Sequence, residues 1–223
     1  MQRTLARLAY CLVLAGRLPA ADPGFFAGGL AGISTLSADA RTALSGPVPA
    51  AGAYKPENGP AANLFAGWHA TDYLSFQGNY VRNTNDVAIT SILGDASFEQ
   101  ARHSSQDAFV GDALLYFRNR RSWVRPYLSA GLGAVRIDSR ATVLRSSSGS
   151  LPLPPPEFSA TRLAFRVAVG IDIMSKSGWG FRYSFSETTS GNPFSQQLAP
   201  QGQRGLANFQ NLFGVVKYFG HRS

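Results

Sequence analysis

Residues 161–173 read TRLAFRVAVGIDI, a stretch in which two kinds of side chain alternate. Every second residue from 163 to 173 is apolar, whereas the positions between them carry arginine, aspartate, alanine or glycine. A period of two predicts a β-strand with two unlike faces. The non-apolar face lacks the lysine and glutamate that usually coat a soluble sheet. Charges beside very small residues are instead typical of a strand that lines a narrow barrel lumen and turns its apolar face to lipid.

The same alternation recurs along the rest of the chain and predicts eight strands. We place them at 24–36, 62–70, 73–84, 106–118, 123–137, 160–174, 179–187 and 207–219. The connectors alternate between long polar loops at 37–61, 85–105, 138–159 and 188–206 and tight turns at 71–72, 119–122 and 175–178. Antiparallel strands joined in this way carry all their long loops at one end. We therefore predict an all-β fold, an eight-stranded antiparallel up-and-down transmembrane β-barrel.

Aromatic residues mark the end of the predicted barrel where the tight turns lie. All three tryptophans of the chain stand next to a predicted tight turn. Tryptophan and tyrosine are enriched where a membrane meets water, so this end is predicted to lie at a membrane surface. The predicted interface belt comprises Trp68, Tyr73, Phe117, Trp123, Trp179 and Phe219, and Tyr80, Phe109 and Phe185 would form the opposite girdle.

The charged face of the strands is predicted to point into the lumen. An arginine at the bilayer midplane costs about 2 to 4 kcal/mol on the lipid side, so Arg166 is expected to point inward. Eight strands enclose a space only wide enough for side chains, and charges buried there must pair or be hydrated. We interpret the set as a salt-bridge network that fills the lumen, although an arginine excess would favour anions if water passed. The predicted network comprises Arg125, Arg162, Arg166 and Arg182 with Asp112 and Asp172.

The first 21 residues differ from the rest and resemble a secretory signal peptide. Arg3 and Arg7 precede an apolar stretch at 8–16, which is too short to span a bilayer as a helix. We predict a signal peptide at 1–21 and one barrel domain at 22–223; a short buried N-terminal helix is the alternative. Cys11 lies in this segment, so the exported chain would lack disulfides, thiolate metal sites and cysteine nucleophiles.

Three motifs resemble the small outer-membrane β-barrel proteins, a family that includes the OmpA-like membrane domain and porin-like eight-stranded barrels. They are Arg125-Pro126-Tyr127 with Gly131-Leu132-Gly133, Gly67-Trp68, and the closing stretch 213–219. The resemblance implies the outer membrane of a diderm bacterium, periplasmic chain termini, and recognition of the last strand by the barrel-assembly machinery. The sequence departs from the family where Lys217 replaces a frequent aromatic residue and four residues follow Phe219.

Few residues suggest chemistry. His103-Ser104-Ser105 and His69 are the only hints of hydrolysis, and the sequence places no acidic residue convincingly to orient a histidine. Gly131 and Gly133 lack the third glycine of a nucleotide-binding motif and are interpreted as packing positions in the lumen. No cluster has metal-ligand spacing. The net charge of +8 comes mostly from arginines spread along the chain, which argues against nucleic-acid binding. We predict no catalytic residues, cofactor or metal.

The leading hypothesis is a monomeric integral outer-membrane protein, surrounded by lipid, with a structural or surface-interaction role. Its long loops would contact any extracellular ligand. The proline-rich stretch 151–156 is either such a contact surface or a stiff spacer. Three alternatives stay open: a small anion-preferring pore, a lipid-modifying outer-membrane enzyme, and a soluble lipocalin-like binder with an apolar interior.

Overall fold

The computed structural model describes residues 24–36, 40–44, 50–151, 153–195 and 205–219. The predicted signal peptide and the last four residues lie outside these ranges, as do parts of the first and last predicted loops. Among the described residues, no helix is both long and apolar enough to cross a membrane. The described part of the chain forms ten strands: β1 (Phe25–Leu36), β2 (Ala40–Leu44), β3 (Ala50–Pro56), β4 (Gly59–His69), β5 (Leu74–Leu93), β6 (Ala96–Tyr116), β7 (Val124–Ser148), β8 (Glu157–Met174), β9 (Trp179–Gly191) and β10 (Gly205–Tyr218).

Eight of these strands close into a ring. The order around it is β1, β4, β5, β6, β7, β8, β9 and β10, with β10 returning to β1, and every pairing is antiparallel. The closing pair places Ala31 opposite Phe213 and Ile33 opposite Asn211. Each strand of the ring therefore has two hydrogen-bonded neighbours. The predicted eight-stranded antiparallel barrel is confirmed.

The alternation that predicted the strands separates the inside of the barrel from its outside. On β8, Leu163 and Val167 are 77% and 38% exposed, whereas Ala164 and Arg166 are 0% and 2% exposed. We call the end of the barrel that carries the tight turns the turn end. From there up to about the level of Leu163 and Ala134, outward positions are mostly apolar, and beyond that level they are mostly polar. The polar exceptions inside this zone include Lys217, Asn211 and Glu187. We call this zone the apolar band. Its ten residue steps on β8, tilted by about 40°, span about 26 Å, which matches the hydrocarbon-facing band of a transmembrane barrel.

Several strands continue well beyond the apolar band, which the sequence did not predict. The predicted loop 85–105 consists almost wholly of β5 and β6, joined by a two-residue turn at Gly94 and Asp95. Gly94 has a φ of 58°, a backbone conformation that glycine adopts at little cost. Much of the predicted loop 138–159 likewise belongs to β7 and β8. The strands continue because Val87, Ile89 and Phe98 still point inward and bury apolar surface.

The first long connector also contains regular structure. Strands β2 and β3 form a hairpin between β1 and β4, and β3 pairs with the far half of β5 from Pro56 opposite Val87 to Ala50 opposite Leu93. This hairpin lies outside the ring and widens the sheet that projects beyond the apolar band. A transmembrane strand needs only about 9 to 11 residues. The 25 residues of β7 thus include a long segment outside the band.

Candidate functional site

Two ion pairs lie in the lumen, and we call the one nearer the turn end the lower ion pair and the other the upper ion pair. The lower ion pair joins Arg182 on β9 to Asp172, its cross-strand neighbour on β8. The Nε and Nη2 atoms of Arg182 donate to the two oxygens of Asp172 over 2.6 and 2.7 Å. Both side chains are almost completely buried. The hydroxyls of Tyr116 and Tyr218 also donate to Asp172. Two charge-assisted bonds in parallel fix the guanidinium in one plane, which is the geometry that arginine and carboxylate prefer.

The upper ion pair joins Arg166 on β8 to Asp112 on β6, and both side chains are again buried. Asn79 donates to the same Asp112 oxygen over 3.1 Å. Gln77 connects the two ion pairs, since its amide donates to Asn79 over 2.7 Å and its oxygen accepts from Arg182 over 2.7 Å. The polar groups therefore form a continuous chain of hydrogen bonds across the lumen. Such chains polarise one another in a low-dielectric interior.

Gly131 makes the upper ion pair possible. It lies on β7 between the other two strands, opposite Asp112 on one side and Arg166 on the other. A Cβ at this position would come within 2.1 Å of Asp112 Oδ1 and 2.3 Å of the Gly111 carbonyl oxygen. The absence of a side chain lets the guanidinium of Arg166 pass over β7 to reach a carboxylate two strands away.

The two remaining predicted arginines are placed differently. Arg125 is buried at the turn end, where its guanidinium lies 3.8 Å above the Tyr116 ring and donates to the Asp72 carbonyl oxygen over 3.2 Å. Within the described ranges, no ion pair includes Arg125. Arg162 is half-buried at the other end, where it donates to the Thr161 carbonyl oxygen over 3.1 Å. The structure thus brings together two of the four predicted arginines with the two predicted aspartates.

Aromatic side chains close the turn end of the lumen below the ion pairs. The His69 ring stacks on Tyr218 with 5.2 Å between centroids, and Phe26 lies 5.4 Å from Tyr218. His69 Nδ1 is 2.5 Å from Ser75 Oγ. His69, one of the residues that suggested hydrolytic chemistry in the sequence, is therefore buried among aromatic rings and hydrogen-bonded to a serine at the start of β5.

A second layer fills the lumen at the other end, and the sequence did not predict it. Its buried apolar side chains come from six of the eight strands of the ring and from the connector that follows β9. Half-buried Leu151 and Phe158 pack against them. This apolar plug comprises Leu36, Val81, Val87, Ile89, Phe98, Ala108, Val110, Val135, Ile137, Ala164, Phe194 and Leu206.

Arg102 lies beside the apolar plug and is 1% exposed. It donates to the carbonyl oxygens of Pro155 and Pro156 over 2.9 and 3.2 Å, and to Ser139 and Gln100 over 2.9 and 2.7 Å. Burial lowers the pKa of its guanidinium below the usual value. The proline-rich segment is thus tied to the barrel by an arginine that sequence alone places in a solvated loop.

The outer surface carries exposed aromatic side chains around the turn end, at the positions predicted for the interface belt. Their exposed fractions range from 46% for Trp68 to 67% for Trp123. Lys217, which shares the outward face of β10, points its Nζ to the Ser177 carbonyl oxygen, 2.7 Å away, and lies 5.3 Å from the Trp179 ring centre. The belt residues are Trp68, Tyr73, Phe117, Trp123, Trp179 and Phe219.

The suspected hydrolytic residues do not form a triad. His103 is exposed on the outer face, whereas Ser104 is buried on the inner face of the same strand. The structure does place a carboxylate beside the histidine, which the sequence did not indicate: Asp86 Oδ1 is 2.8 Å from His103 Nδ1. No hydrogen bond joins His103 to a serine among the described residues. The same residues contain no group of three or more His, Cys, Asp or Glu side chains placed to hold a metal ion.

Comparisons with known proteins agree with this architecture. The family model described as "Outer membrane protein beta-barrel domain" matches residues 8–212. No curated protein matches the chain by sequence. Neisserial surface protein A has a similar fold, with a TM-score of 0.51 at 17% identity, covering 88% of this chain and 97% of that one.

Two further solved structures are similar over most of their lengths. The N-terminal β-barrel domain of Pseudomonas aeruginosa OprF has 12% identity and a TM-score of 0.44, covering 89% of this chain and 98% of that one. Ail, the attachment invasion locus protein of Yersinia pestis, has 9% identity and a TM-score of 0.47, covering 88% of this chain and 98% of that one. The family model spans most of the chain and fits the closed ring of eight strands. The chain therefore belongs to the outer-membrane protein β-barrel family and is a protein of the bacterial outer membrane.

Proposed function

We propose that this barrel is a non-conducting, non-enzymatic protein with a structural or surface-interaction role. The observation that carries the proposal is a lumen occupied at two levels. Arg182, Asp172, Arg166 and Asp112 cross it within the apolar band, together with their hydrogen-bond partners. The apolar plug and Arg102 occupy the other end. An ion would have to break a buried salt bridge and then cross an apolar layer, and both steps are costly.

The proposal includes an orientation in the membrane. Outer-membrane barrels have short turns in the periplasm and longer connections outside. The turns at 117–123 and 175–178 are short, whereas β5, β6 and β7 project beyond the opposite edge of the apolar band. We therefore place the turn end, and both chain termini, in the periplasm.

The projecting sheet is the proposed contact surface for an extracellular ligand. Its outer face carries charged pairs, among them Arg82 with Asp107 at 3.5 Å and Arg140 with Glu157 at 3.4 Å. Arg82, Arg140, Glu157 and His103 line a polar cleft above the apolar band. Exposed ion pairs add little stability, and their groups remain available for polar contacts. The proposed ligand is accordingly polar rather than lipid-like.

The closed ring also supports a monomer. The first and last strands, β1 and β10, satisfy each other's backbone hydrogen bonds by pairing. No strand of the ring therefore has a free edge that needs a partner chain. At the end of β10, the amide of Phe219 donates to the Phe25 carbonyl oxygen over 2.7 Å. We propose that the barrel-assembly machinery recognises this last strand before the ring closes on β1.

Cysteine labelling in intact cells tests the orientation and the exposure of the projecting sheet. We expect a membrane-impermeant maleimide to label the Asp95→Cys variant in intact cells, and the Ser177→Cys variant only after permeabilisation. Cys11, the one native cysteine, lies in the predicted signal peptide and is replaced by serine as a precaution. Labelling of Ser177→Cys alone in intact cells would reverse the orientation, and labelling of neither variant would refute a surface role.

A further inference from the structure

Charged side chains beyond the apolar band are distributed unequally between the two ends of the barrel. In the described turns, Arg118, Arg121 and Lys176 are exposed, and Arg120 is half-buried. The one carboxylate among the described residues of these turns is Asp72. The turn end is therefore strongly basic over a small area.

At the opposite end, charges of both signs alternate among the described residues. Three described outward arginines there have carboxylate partners: Arg82 lies 3.5 Å from Asp107, and Arg136 lies 3.0 Å from Asp138. Arg140 lies 3.4 Å from Glu157. Further described carboxylates at this end include Asp95 and Glu99. Among the described residues, the turn end therefore has an excess of positive charge, whereas these arginines at the opposite end are paired with carboxylates. An anion should bind more strongly at the turn end.

The exposed cations of the turns lie next to the tryptophans. Trp123 follows Arg121 by two residues, and Trp179 follows Lys176 by three. Trp68, Trp123 and Trp179 are 46%, 67% and 52% exposed. We call these three tryptophans together with Arg118, Arg121 and Lys176 the turn collar. Aromatic rings at the edge of an apolar band lie at headgroup depth, so the cations just beyond them lie at the depth of lipid phosphates.

We propose that the turn collar binds the phosphate groups of anionic phospholipids. Arginine can engage a phosphate with two parallel hydrogen bonds, and each cation near an anionic membrane surface strengthens association about fivefold. The long arginine and lysine side chains can reach the phosphates while their aliphatic parts rest on the tryptophan rings. The choice of phospholipid, rather than another phosphate-bearing lipid, rests on the periplasmic orientation proposed above.

Quenching of tryptophan fluorescence by brominated lipids tests this proposal, because every tryptophan of the chain belongs to the turn collar. The full-length exported protein is reconstituted in phosphatidylcholine vesicles that contain either brominated phosphatidylglycerol or brominated phosphatidylcholine. We expect phosphatidylglycerol to associate severalfold more strongly at low salt, and this preference to fall at high salt as phosphate contacts are screened. Equal quenching by both lipids at low salt would overturn the proposal.

Two matched triple variants show which end of the barrel is responsible. Arg118→Gln/Arg121→Gln/Lys176→Gln is expected to abolish the preference, whereas Arg82→Gln/Arg136→Gln/Arg140→Gln is expected to retain it. Preference retained in the first variant, or lost only in the second, would contradict the proposal. If the first variant does not fold, the salt dependence of the lipid preference in the wild-type protein still tests the proposal, because all three tryptophans report on lipid at the turn end. Symmetric vesicles make the result independent of orientation, which the cysteine labelling tests separately.

Discussion

Replacing Asp172 with asparagine removes one charge from the lower ion pair without changing the size of the side chain. In the wild-type barrel, Asp172 accepts two hydrogen bonds from Arg182 and one each from Tyr116 and Tyr218. Asparagine offers one acceptor oxygen, and its NH2 group cannot accept from the guanidinium. The change leaves a buried arginine without its counter-charge, next to tyrosine hydroxyls that have lost their strongest acceptor.

The expected destabilisation follows from that burial. Asp172 and Arg182 are 0% and 1% exposed, so water does not screen the unpaired charge. Breaking one side of a buried ion pair costs about 3 to 5 kcal/mol. With a urea slope of about 2 kcal/mol/M, a loss of about 3 kcal/mol lowers the unfolding midpoint by about 1.5 M. The Arg182→Gln substitution should lower the free energy of unfolding less in the Asp172→Asn variant than in the wild type, because Arg182 has already lost its partner in that variant.

Urea unfolding in phospholipid vesicles, followed by tryptophan fluorescence, measures these values, and a heat-modifiable band in gel electrophoresis confirms folding. Asp138→Asn is the matched control, since its carboxylate pairs with Arg136 on the exposed outer face. We expect the control to lie close to the wild type. An Asp172→Asn variant as stable as the control, or additive losses in the double variant, would refute the account of the lower ion pair.

Other substitutions test separate parts of the structure. Gly131→Ala should destabilise the barrel by about 1 to 3 kcal/mol in the same urea assay, whereas Gly111→Ala should not, because nothing lies within 4 Å of its new Cβ. Arg102→Gln should speed cleavage after Glu157 by a glutamate-specific protease, because Pro155 and Pro156 before it lose their hydrogen-bond donor. The exposed neighbour variant His103→Gln should leave the rate unchanged; equal rates in the two variants would contradict the tie between Arg102 and Pro155. The pKa of Asp138 lies below its usual value because Arg136 donates to it, so this pairing stabilises the fold at neutral pH and is lost as pH falls through that lowered pKa. The pKa of Asp138, measured by NMR titration, should therefore be higher in the Arg136→Gln variant than in the wild type. Reconstituted His103→Ala and wild-type proteins should both lack phospholipid esterase activity, and activity lost only in the variant would revive the enzyme hypothesis.

The barrel could be predicted from the sequence because its period of two is a local property. The stretch 161–173 already distinguishes the lipid side from the lumen side, and the cost of an arginine in lipid orients Arg166. The projecting strands were missed for a compositional reason. Val87 and Ile89 keep the same period, but Asp86 and Thr90 beside them are polar on the outer face, as in a loop.

The contacts inside the lumen depend on information that no single strand contains. Arg166 reaches Asp112 across β7 only because of the strand register, which places Gly131 between them. Arg102 looks like a solvated cation in the sequence, yet it binds carbonyl groups 53 and 54 residues away. Arg162 shares the alternation of Arg166 but lies near the far end of its strand, where it is half-buried. The alternation of residues along a strand predicts which side chains point into the lumen, whereas the register between strands determines which of them contact one another.

Single-channel recording in planar lipid bilayers tests directly whether the ion-pair layer and the apolar plug fill the lumen. The full-length exported barrel, inserted at neutral pH with a large porin as a positive control, should produce no steady openings above the baseline of the membrane. An eight-stranded interior packed with side chains leaves no continuous water path. Reproducible openings of one defined conductance, abolished by unfolding the protein before insertion, would contradict a filled lumen and favour the small anion-preferring pore.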